Sequence, residues 1–288
     1  MAATKLAEQM ETIILQRIAQ DKLAIGMLPT LATKVLATLQ DANLNLKKVV
    51  KLLEQDAVLA ARVIRFASSA AYGAGVMKSL DLAVSRLGVQ KLRTLLIELS
   101  ARQLFLSRDP RIGKSLKELW DHSLAVALVA RDLCALSGHD TETDTAYVCG
   151  LLHDLGKPIV AATLLEAERA VTTERGGSWI GSEFWLQVVN TAHRKVGVAL
   201  AEKWMLPDEA LKAIRDCAEF DSSARQSPAN FVRFANAVAK REGIYAGEVD
   251  KDDTEAIIMI GRSLLDINDE ILGKLTASLR ERVGAQGE

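Results

Sequence analysis

The residues Gly150-Leu151-Leu152-His153-Asp154-Leu155-Gly156-Lys157 place a histidine and an aspartate side by side at the end of an apolar run. Leucines and valines surround the pair in a region that otherwise has the composition of a protein core. Burying an imidazole and a carboxylate without partners costs free energy, so the pair requires a metal, a phosphate or ordinary hydrogen bonds. The rest of the chain indicates which partners are available.

Helical periodicity runs through almost the whole chain, and the alternation that is typical of strands is absent. Apolar residues recur every three or four positions in segments such as 4–20, 89–106 and 183–205. Asn45 and Asp56 each precede such a segment and are predicted N-caps. We therefore predict an all-α protein with about a dozen helices and no sheet.

Local signals predict where several of these helices begin and end. A short helix is expected to stop at Gly88, and a capping box at Ser115-x-x-Glu118 is expected to open a helix that ends at Gly138. The helix that carries the opening stretch is predicted over 143–156 and ends at Gly156. Two last helices are predicted over 254–266 and 269–283.

One polar segment divides the chain. Residues 107–114 are the only polar stretch rich in proline and glycine before the midpoint, and domain boundaries favour such segments. The prediction is an N-terminal helical subdomain over residues 1–108 and a second helical subdomain over residues 109–288.

Composition and charge exclude several classes of function. The net charge is -1 with scattered lysines and arginines, and aromatic residues make up 5%, so neither a nucleic-acid groove nor a base-stacking surface is expected. No apolar run approaches the ~18 residues of a membrane span, and residues 1–15 do not resemble a signal peptide. Cys134, Cys149 and Cys217 lie far apart and are expected to be buried free thiols. We expect a cytoplasmic protein that binds neither nucleic acid nor membrane.

Three of the four histidines lie on apolar helix faces. His122 shares a face with Val126, His193 shares one with Val196, and His153 precedes Asp154, whereas the fourth, His139, follows a glycine in a polar turn where exposure is expected. A single such histidine is usually a core residue with a backbone partner. A histidine from one helix and the His153-Asp154 pair from the next would supply two imidazoles and one carboxylate, a set that suits Zn, Fe or Mn provided that the helices pack antiparallel with these ends together.

The segment Leu119-Trp120-Asp121-His122-Ser123, followed by the Gly150–Lys157 stretch, resembles the HD superfamily of metal-dependent phosphohydrolases. The similarity is closer to its HDOD branch, the HD-related output domains. Further motifs of that branch follow in order over roughly residues 28–245: Leu28–Leu31, Asp56–Val63 with Ser68–Gly73, Ala83–Gly88, His193 to Pro207, and Phe234–Ala239.

The resemblance implies a multi-helix HD-domain-like bundle with an N-terminal helical subdomain. It also implies a metal held by His122, His153, Asp154 and a later aspartate, whose position is taken here by Asn236. An amide is a weaker ligand than a carboxylate, so this change should weaken binding of a divalent cation. Relatives with two metals carry histidines near residues 214–218, where this chain has none.

The resemblance further implies a bacterial signal-transduction or regulatory module. We expect a degenerate, non-catalytic site in which the polar side chains bond to one another, without a resident cofactor. The alternative is a metal-dependent phosphohydrolase that holds a single Fe, Mn, Zn or Ni ion and acts on a nucleotide or another phosphate ester. In that case Lys157 or His193 would contact the phosphate. Lys157 could equally lie at a helix C-terminus, where its positive charge interacts favourably with the helix dipole. Signalling proteins, a small phosphorylated ligand and a second copy of the chain are the expected partners.

Overall fold

The computed structural model describes residues 2–20, 22, 30–41, 43–69, 75–139, 142–175 and 181–287. Within these ranges the chain forms fourteen α-helices and no β-strand, which confirms the predicted all-α class. Parts of two predicted family motifs, residues 28–29 and 70–73, lie outside the described ranges.

The chain divides into two compact units, one of residues 27–103 and one of residues 1–26 with 104–288. The first unit contains α2 (Thr30–Leu39), α3 (Leu46–Leu53), α4 (Ala57–Ala67) and α5 (Leu80–Leu104). The second contains α1 (Ala2–Ala19), α6 (Pro110–Leu136), α7 (Thr143–Leu152), α8 (Gly156–Arg175), α9 (Ser182–Lys203), α10 (Asp208–Asp216), α11 (Pro228–Arg241), α12 (Lys251–Leu264), α13 (Asp269–Thr276) and α14 (Leu279–Gly287).

In the unit of residues 27–103, local capping chemistry sets the helix ends. The side chains of Asn45 and Asp56 accept hydrogen bonds from the first turns of α3 and α4, which confirms both predicted N-caps. Gly88 has φ of 67° and interrupts α5, as predicted, because a left-handed backbone suits glycine. Val49 and Leu53 of α3 are fully buried in the core of this unit.

In the other unit, α6 and α7 form the most extensive helix pair, and α11 packs against both. The first helix also belongs to this unit, because α1 packs against α8 and α9 and buries Met10, Ile14 and Ile18. The division therefore differs from the predicted one at the N-terminus, where residues 1–108 were expected to form one subdomain.

The predicted start of α6 is wrong. The helix begins at Pro110, and Asp109 caps it by accepting a hydrogen bond from the Arg111 backbone N–H at 2.9 Å. An aspartate N-cap followed by proline favours a helix start, so the helix begins here and not at the predicted capping box. Ser115 of that box lies inside the helix. The predicted end is confirmed, because α6 stops at Leu136 and Gly138 has φ of 81°.

The predicted helix over residues 143–156 is also divided differently. It stops at Leu152, a turn of three residues follows, and Gly156 opens α8 instead of closing α7. A Cβ atom on Gly156 would lie 1.9 Å from the His193 carbonyl oxygen, so close backbone packing requires this glycine. At the C-terminus, three helices replace the predicted two, with a break at Ser278, whose φ is 51°.

One stretch, Thr143–Arg169, is long and apolar enough to cross a membrane by length and composition alone. However, 94% of its most apolar window is buried inside the fold, which is typical of a central core helix. The three cysteines are buried and free, as predicted.

Candidate functional site

Two elements bring three metal-ligating side chains together. His122 lies on α6, and His153 and Asp154 lie in the turn between α7 and α8. One ligand atom from each of the three lies within 4.8 Å of the others, so the group can hold a metal ion. The three residues are 0%, 1% and 4% exposed, so water reaches them little.

Two further residues complete what we call the histidine–aspartate cluster: His122, His153, Asp154, Lys157 and His193. Lys157 belongs to the first turn of α8, and His193 to the middle of α9. Nζ of Lys157 lies 2.6 Å from Oδ2 of Asp154, and Nε2 of His193 lies 3.3 Å from Oδ1 of the same carboxylate. The structure therefore brings together five of the six residues that the sequence singled out, with four of them around the carboxylate of Asp154.

Backbone carbonyl groups orient all three imidazoles of the cluster. Nδ1 of His122 lies 2.8 Å from the Ile244 oxygen, Nδ1 of His153 lies 2.8 Å from the Gly150 oxygen, and Nδ1 of His193 lies 2.7 Å from the Asn190 oxygen. A carbonyl oxygen only accepts, so Nδ1 carries the hydrogen and donates it in each case. Nε2 then faces the carboxylate, which is the arrangement of a metal-ligating histidine.

Burial keeps two of these imidazoles neutral. It lowers the pKa of His122 to about 3, and nearby His153 lowers it further, while Asp154 opposes the shift. Burial likewise lowers the pKa of His193, against the opposing interaction with Asp154. Near neutral pH both Nε2 atoms therefore carry a lone pair and act only as acceptors or ligands.

The opposite charge of Lys157 holds the carboxylate ionised. Burial raises the pKa of Asp154, but interactions with His153 and Lys157 outweigh it and leave the pKa well below its usual range. Burial lowers the pKa of Lys157, and Asp154 reverses that effect, so the net shift is upward. The structure thus contains a buried ion pair between the second residue of α8 and the turn before it.

The sequence offered a helix C-terminus as the alternative setting for Lys157, and this alternative is wrong. Lys157 follows the first residue of α8, at the positive end of the helix dipole. An ammonium group there is destabilised by the dipole, so the carboxylate of Asp154 is what accounts for its position.

Asn236 lies on α11, which packs against α6 and α7. Its side-chain oxygen Oδ1 is buried and has no hydrogen-bond partner in the described part of the chain, and the same holds for Nε2 of His122 and of His153. Leaving buried polar atoms without partners costs about 1–3 kcal/mol each, so the two Nε2 atoms beside one carboxylate indicate a missing partner.

The cluster contains more acceptors than donors. The Nε2 atoms of His122 and His193 and the carboxylate of Asp154 accept, whereas Lys157 is the main donor. The expected network, in which these side chains bond to one another, therefore lacks the hydrogens that it needs. Imidazole nitrogens and a carboxylate oxygen are, however, suitable ligands for a cation of the Zn, Fe or Mn type.

Sequence reasoning missed two residues beside the cluster. The ring of Tyr245 meets the His122 ring edge-on at 5.0 Å between centroids, and the Lys157 and Lys240 Nζ atoms lie 5.3 and 4.9 Å from the Tyr245 centroid. Lys240 follows Asn236 by four residues, so helical spacing could have placed both on one face of α11. Tyr245 lies in the following loop and gave no periodic signal.

The fourth histidine differs from its prediction. His139 was expected to be exposed, yet it is half-buried and its Nδ1 atom is inaccessible. It lies just after α6, and its carbonyl oxygen accepts a hydrogen bond from the Cys134 thiol.

Solved structures of several bacterial proteins share this fold. A Shewanella amazonensis SB2B protein named as a candidate metal-dependent phosphohydrolase is 22% identical, with full coverage of both chains and a TM-score of 0.75. An HDOD domain protein of unknown function from Geobacter sulfurreducens is 24% identical over 98% of each chain, with a TM-score of 0.65. A candidate signal transduction protein from Marinobacter aquaeolei VT8 is 22% identical over 99% of this chain and 65% of that one, with a TM-score of 0.63.

Sequence comparison gives the family. An uncharacterized protein of Treponema pallidum (strain Nichols) is 26% identical over 194 residues, which are 66% of this chain and 37% of that protein. The chain thus spans well under half the length of this relative. The model of the HDOD domain matches residues 25–220, about two thirds of the sequence, and those residues include all of the histidine–aspartate cluster. The chain therefore belongs to the HDOD family.

Proposed function

We propose that the chain is a regulatory module for bacterial signal transduction, in which the histidine–aspartate cluster stabilises the helical core and does not catalyse hydrolysis. The observation that carries this proposal is the buried ion pair of Asp154 with Lys157, whose Nζ atom lies 2.6 Å from Oδ2 of the carboxylate. A carboxylate that is already paired with a lysine of the chain itself, and only 4% exposed, offers a phosphate ester little access.

We further propose that the cluster holds at most one divalent cation, of the Fe, Mn, Zn or Ni type. His122, His153 and Asp154 would be the ligands, and Asn236 would supply a neutral oxygen in place of a fourth charged ligand. Such an ion would link α6 to the turn between α7 and α8, and it would satisfy the lone pairs that the fold leaves without donors.

Among the residues that the structure describes, no second group of ligands comparable to the first is found. The segment Ile214–Ala218 contains no histidine, and the Arg194 guanidinium donates to the Ile214 oxygen at 2.8 Å and lies 3.2 Å from Cys217 Sγ. A fixed positive charge at that position repels a cation. We therefore propose a site for one ion, not two.

The alternative is a metal-dependent phosphohydrolase, and the intact group of two imidazoles and a carboxylate favours it. A bound ion would polarise a phosphoryl oxygen and lower the pKa of its bound water. Lys157 would then have to leave Asp154 to contact the phosphate, which would break a buried ion pair.

One experiment separates the two functions. The protein is purified without chelator, its metal content is measured by elemental analysis, and hydrolysis of p-nitrophenyl phosphate and of nucleotides is followed with Mn, Fe, Zn and Ni. We expect at most one ion per chain and no turnover above that of the free ions. His122→Ala should abolish metal uptake, whereas His139→Ala, which changes the histidine outside the cluster, should leave it intact. Turnover that disappears in His122→Ala but persists in His139→Ala would establish the hydrolase instead.

A further inference from the structure

Lys240 is a half-buried cation without an anionic partner. In the part of the chain that the structure describes, no carboxylate oxygen lies within 4.0 Å of its Nζ atom. The Nζ atom instead lies 4.9 Å from the centroid of the Tyr245 ring. Burial lowers the pKa of Lys240, and the positive charge of Lys157 lowers it further. Asp154 and Asp253 act in the opposite direction from a greater distance.

The buried charges around Tyr245 do not balance. Lys157 is neutralised by Asp154, with which it forms an ion pair, and His122 is neutral at physiological pH. Lys240 therefore has no ion-pair partner in the described part of the chain, because Asp154 and Asp253 act on it only from beyond 4.0 Å, and a divalent cation in the cluster would add further positive charge. Partly buried charge without a counter-charge is costly, so this position favours an anion.

Ligands can reach this position more readily than they can reach the cluster. Lys240 and Tyr245 are both half-buried, whereas His122 and His153 are at most 1% exposed. Gly247, two residues after Tyr245 in the loop between α11 and α12, is exposed. Lys240 is thus a cation that solvent reaches, and it lies beside the same tyrosine ring as Lys157 of the closed cluster.

We propose that Lys240, positioned by the ring of Tyr245, is the anchor of a binding site for a small phosphate-bearing ligand. A phosphate monoester carries about -1.5 to -2 charges at pH 7, and its oxygens accept strong charge-assisted hydrogen bonds from an ammonium group. Its arrival would relieve the repulsion between Lys240 and Lys157 and complete the local charge balance. The proposal extends the regulatory function by giving the module a small-molecule signal, but it does not depend on a bound metal.

Titration calorimetry on the full chain tests this site. After treatment with chelator, the protein is titrated with inorganic phosphate and with phenyl phosphate at constant ionic strength. We expect both to bind, and Lys240→Gln to weaken the binding about ten- to hundredfold, as the loss of one charge-assisted hydrogen bond predicts. Lys251→Gln removes an exposed lysine at the start of α12 and should change nothing.

The conservative variant and the two probes make the result specific. Lys240→Arg keeps the charge and should retain binding, and the helical circular dichroism of each variant shows whether it has folded. Stronger binding of phenyl phosphate would identify a phosphate ester as the ligand, and equal binding would identify free phosphate. Equal affinities of the wild type and Lys240→Gln, or no heat with either probe at millimolar concentration, would overturn the proposal. Because the metal is removed beforehand, failure of the metal site would not affect this outcome.

Discussion

The ammonium group of Lys157 lies 2.6 Å from the carboxylate of Asp154, and both side chains are at least nine-tenths buried. Lys157 follows Asp154 by three positions in the chain, so one turn of backbone positions both charges. Without a metal, this ion pair is the direct contact between opposite charges that compensates the carboxylate in the centre of the fold.

Removal of that ammonium should therefore be costly. Lys157→Met leaves a buried carboxylate without its counter-charge and should lower the free energy of unfolding by about 3–5 kcal/mol in chelator. Added Zn or Mn should reduce this deficit, because the ion supplies positive charge at the same carboxylate. Lys195→Met, which breaks an exposed ion pair with Glu11, is the control and should change stability little. Urea unfolding with and without metal measures both effects, and equal losses for the two variants would contradict the assigned role of Lys157.

Restoring a carboxylate on α11 should strengthen metal binding. Asn236→Asp replaces a buried amide oxygen without a partner by a charged ligand, and we expect the metal affinity to rise about tenfold or more. Asn268→Asp adds the same charge at the exposed N-cap of α13, where aspartate also caps well, and should leave the affinity unchanged. Competition with a fluorescent chelator gives both constants. If Asn236→Asp brings no gain, Asn236 does not stand at the fourth ligand position.

Stability should depend on pH through the buried histidines. The pKa of His122 is about 3 in the folded protein and near 6.5 in the unfolded chain, so between these values the unfolded chain binds more protons. Stability is then complete above pH 6.5 and falls as the pH decreases, by up to about 1.4 kcal/mol per pH unit for this group. His193, whose pKa is also lowered, adds to the same slope.

Denaturation by urea between pH 4.5 and 6.5 in chelator isolates this effect, because the carboxylate of Asp154 stays ionised over that range. His122→Phe should flatten the profile, whereas His139→Phe should keep the wild-type slope. A profile of His122→Phe that parallels the wild type would show that the His122 imidazole does not titrate as its burial implies.

The close approach of α8 to α9 should tolerate no side chain at its centre. Gly156→Ala would place a methyl group against the His193 carbonyl and should destabilise the fold by about 3 kcal/mol or more. Gly273→Ala, on α13 where nothing lies within 4 Å, should instead stabilise by about 0.5–1 kcal/mol. Thermal denaturation compares the two variants. Similar melting temperatures would mean that α8 and α9 can move apart to accommodate the methyl group without loss of stability.

Local chemistry explains which parts of the fold could be predicted. Asn45 and Asp56 cap helices by bonding to backbone two or three residues away, and Gly88 interrupts a helix through its own φ angle. The sequence around each residue was therefore sufficient to predict these helix ends. Gly156 resembled a helix end for the same local reasons, yet its role is set by the backbone of α9, almost forty residues later in the chain. Contacts of that kind leave no local pattern.

The site shows the same distinction. His153, Asp154 and Lys157 lie within one turn, so their proximity could be read directly from the sequence. Tyr245 reaches the cluster because α11 packs against α6 and α7, and helical periodicity does not predict that packing. The hydrogen-bond direction of His122 was equally inaccessible, because it depends on the carbonyl group of Ile244, which is remote in the chain, whereas His153 and His193 bond carbonyl groups only three residues earlier.

The pairing of α1 with α9 has a consequence for synthesis on the ribosome. Roughly 160 residues separate the two helices, and translation adds about 5–20 residues per second, so α1 emerges on the order of ten seconds before its partner. During that interval the apolar side chains of Ile14 and Ile18 have no α9 to cover them. The nascent chain therefore presents an exposed hydrophobic segment that favours aggregation, and the contact between α1 and α9 can form only after α9 has left the ribosome.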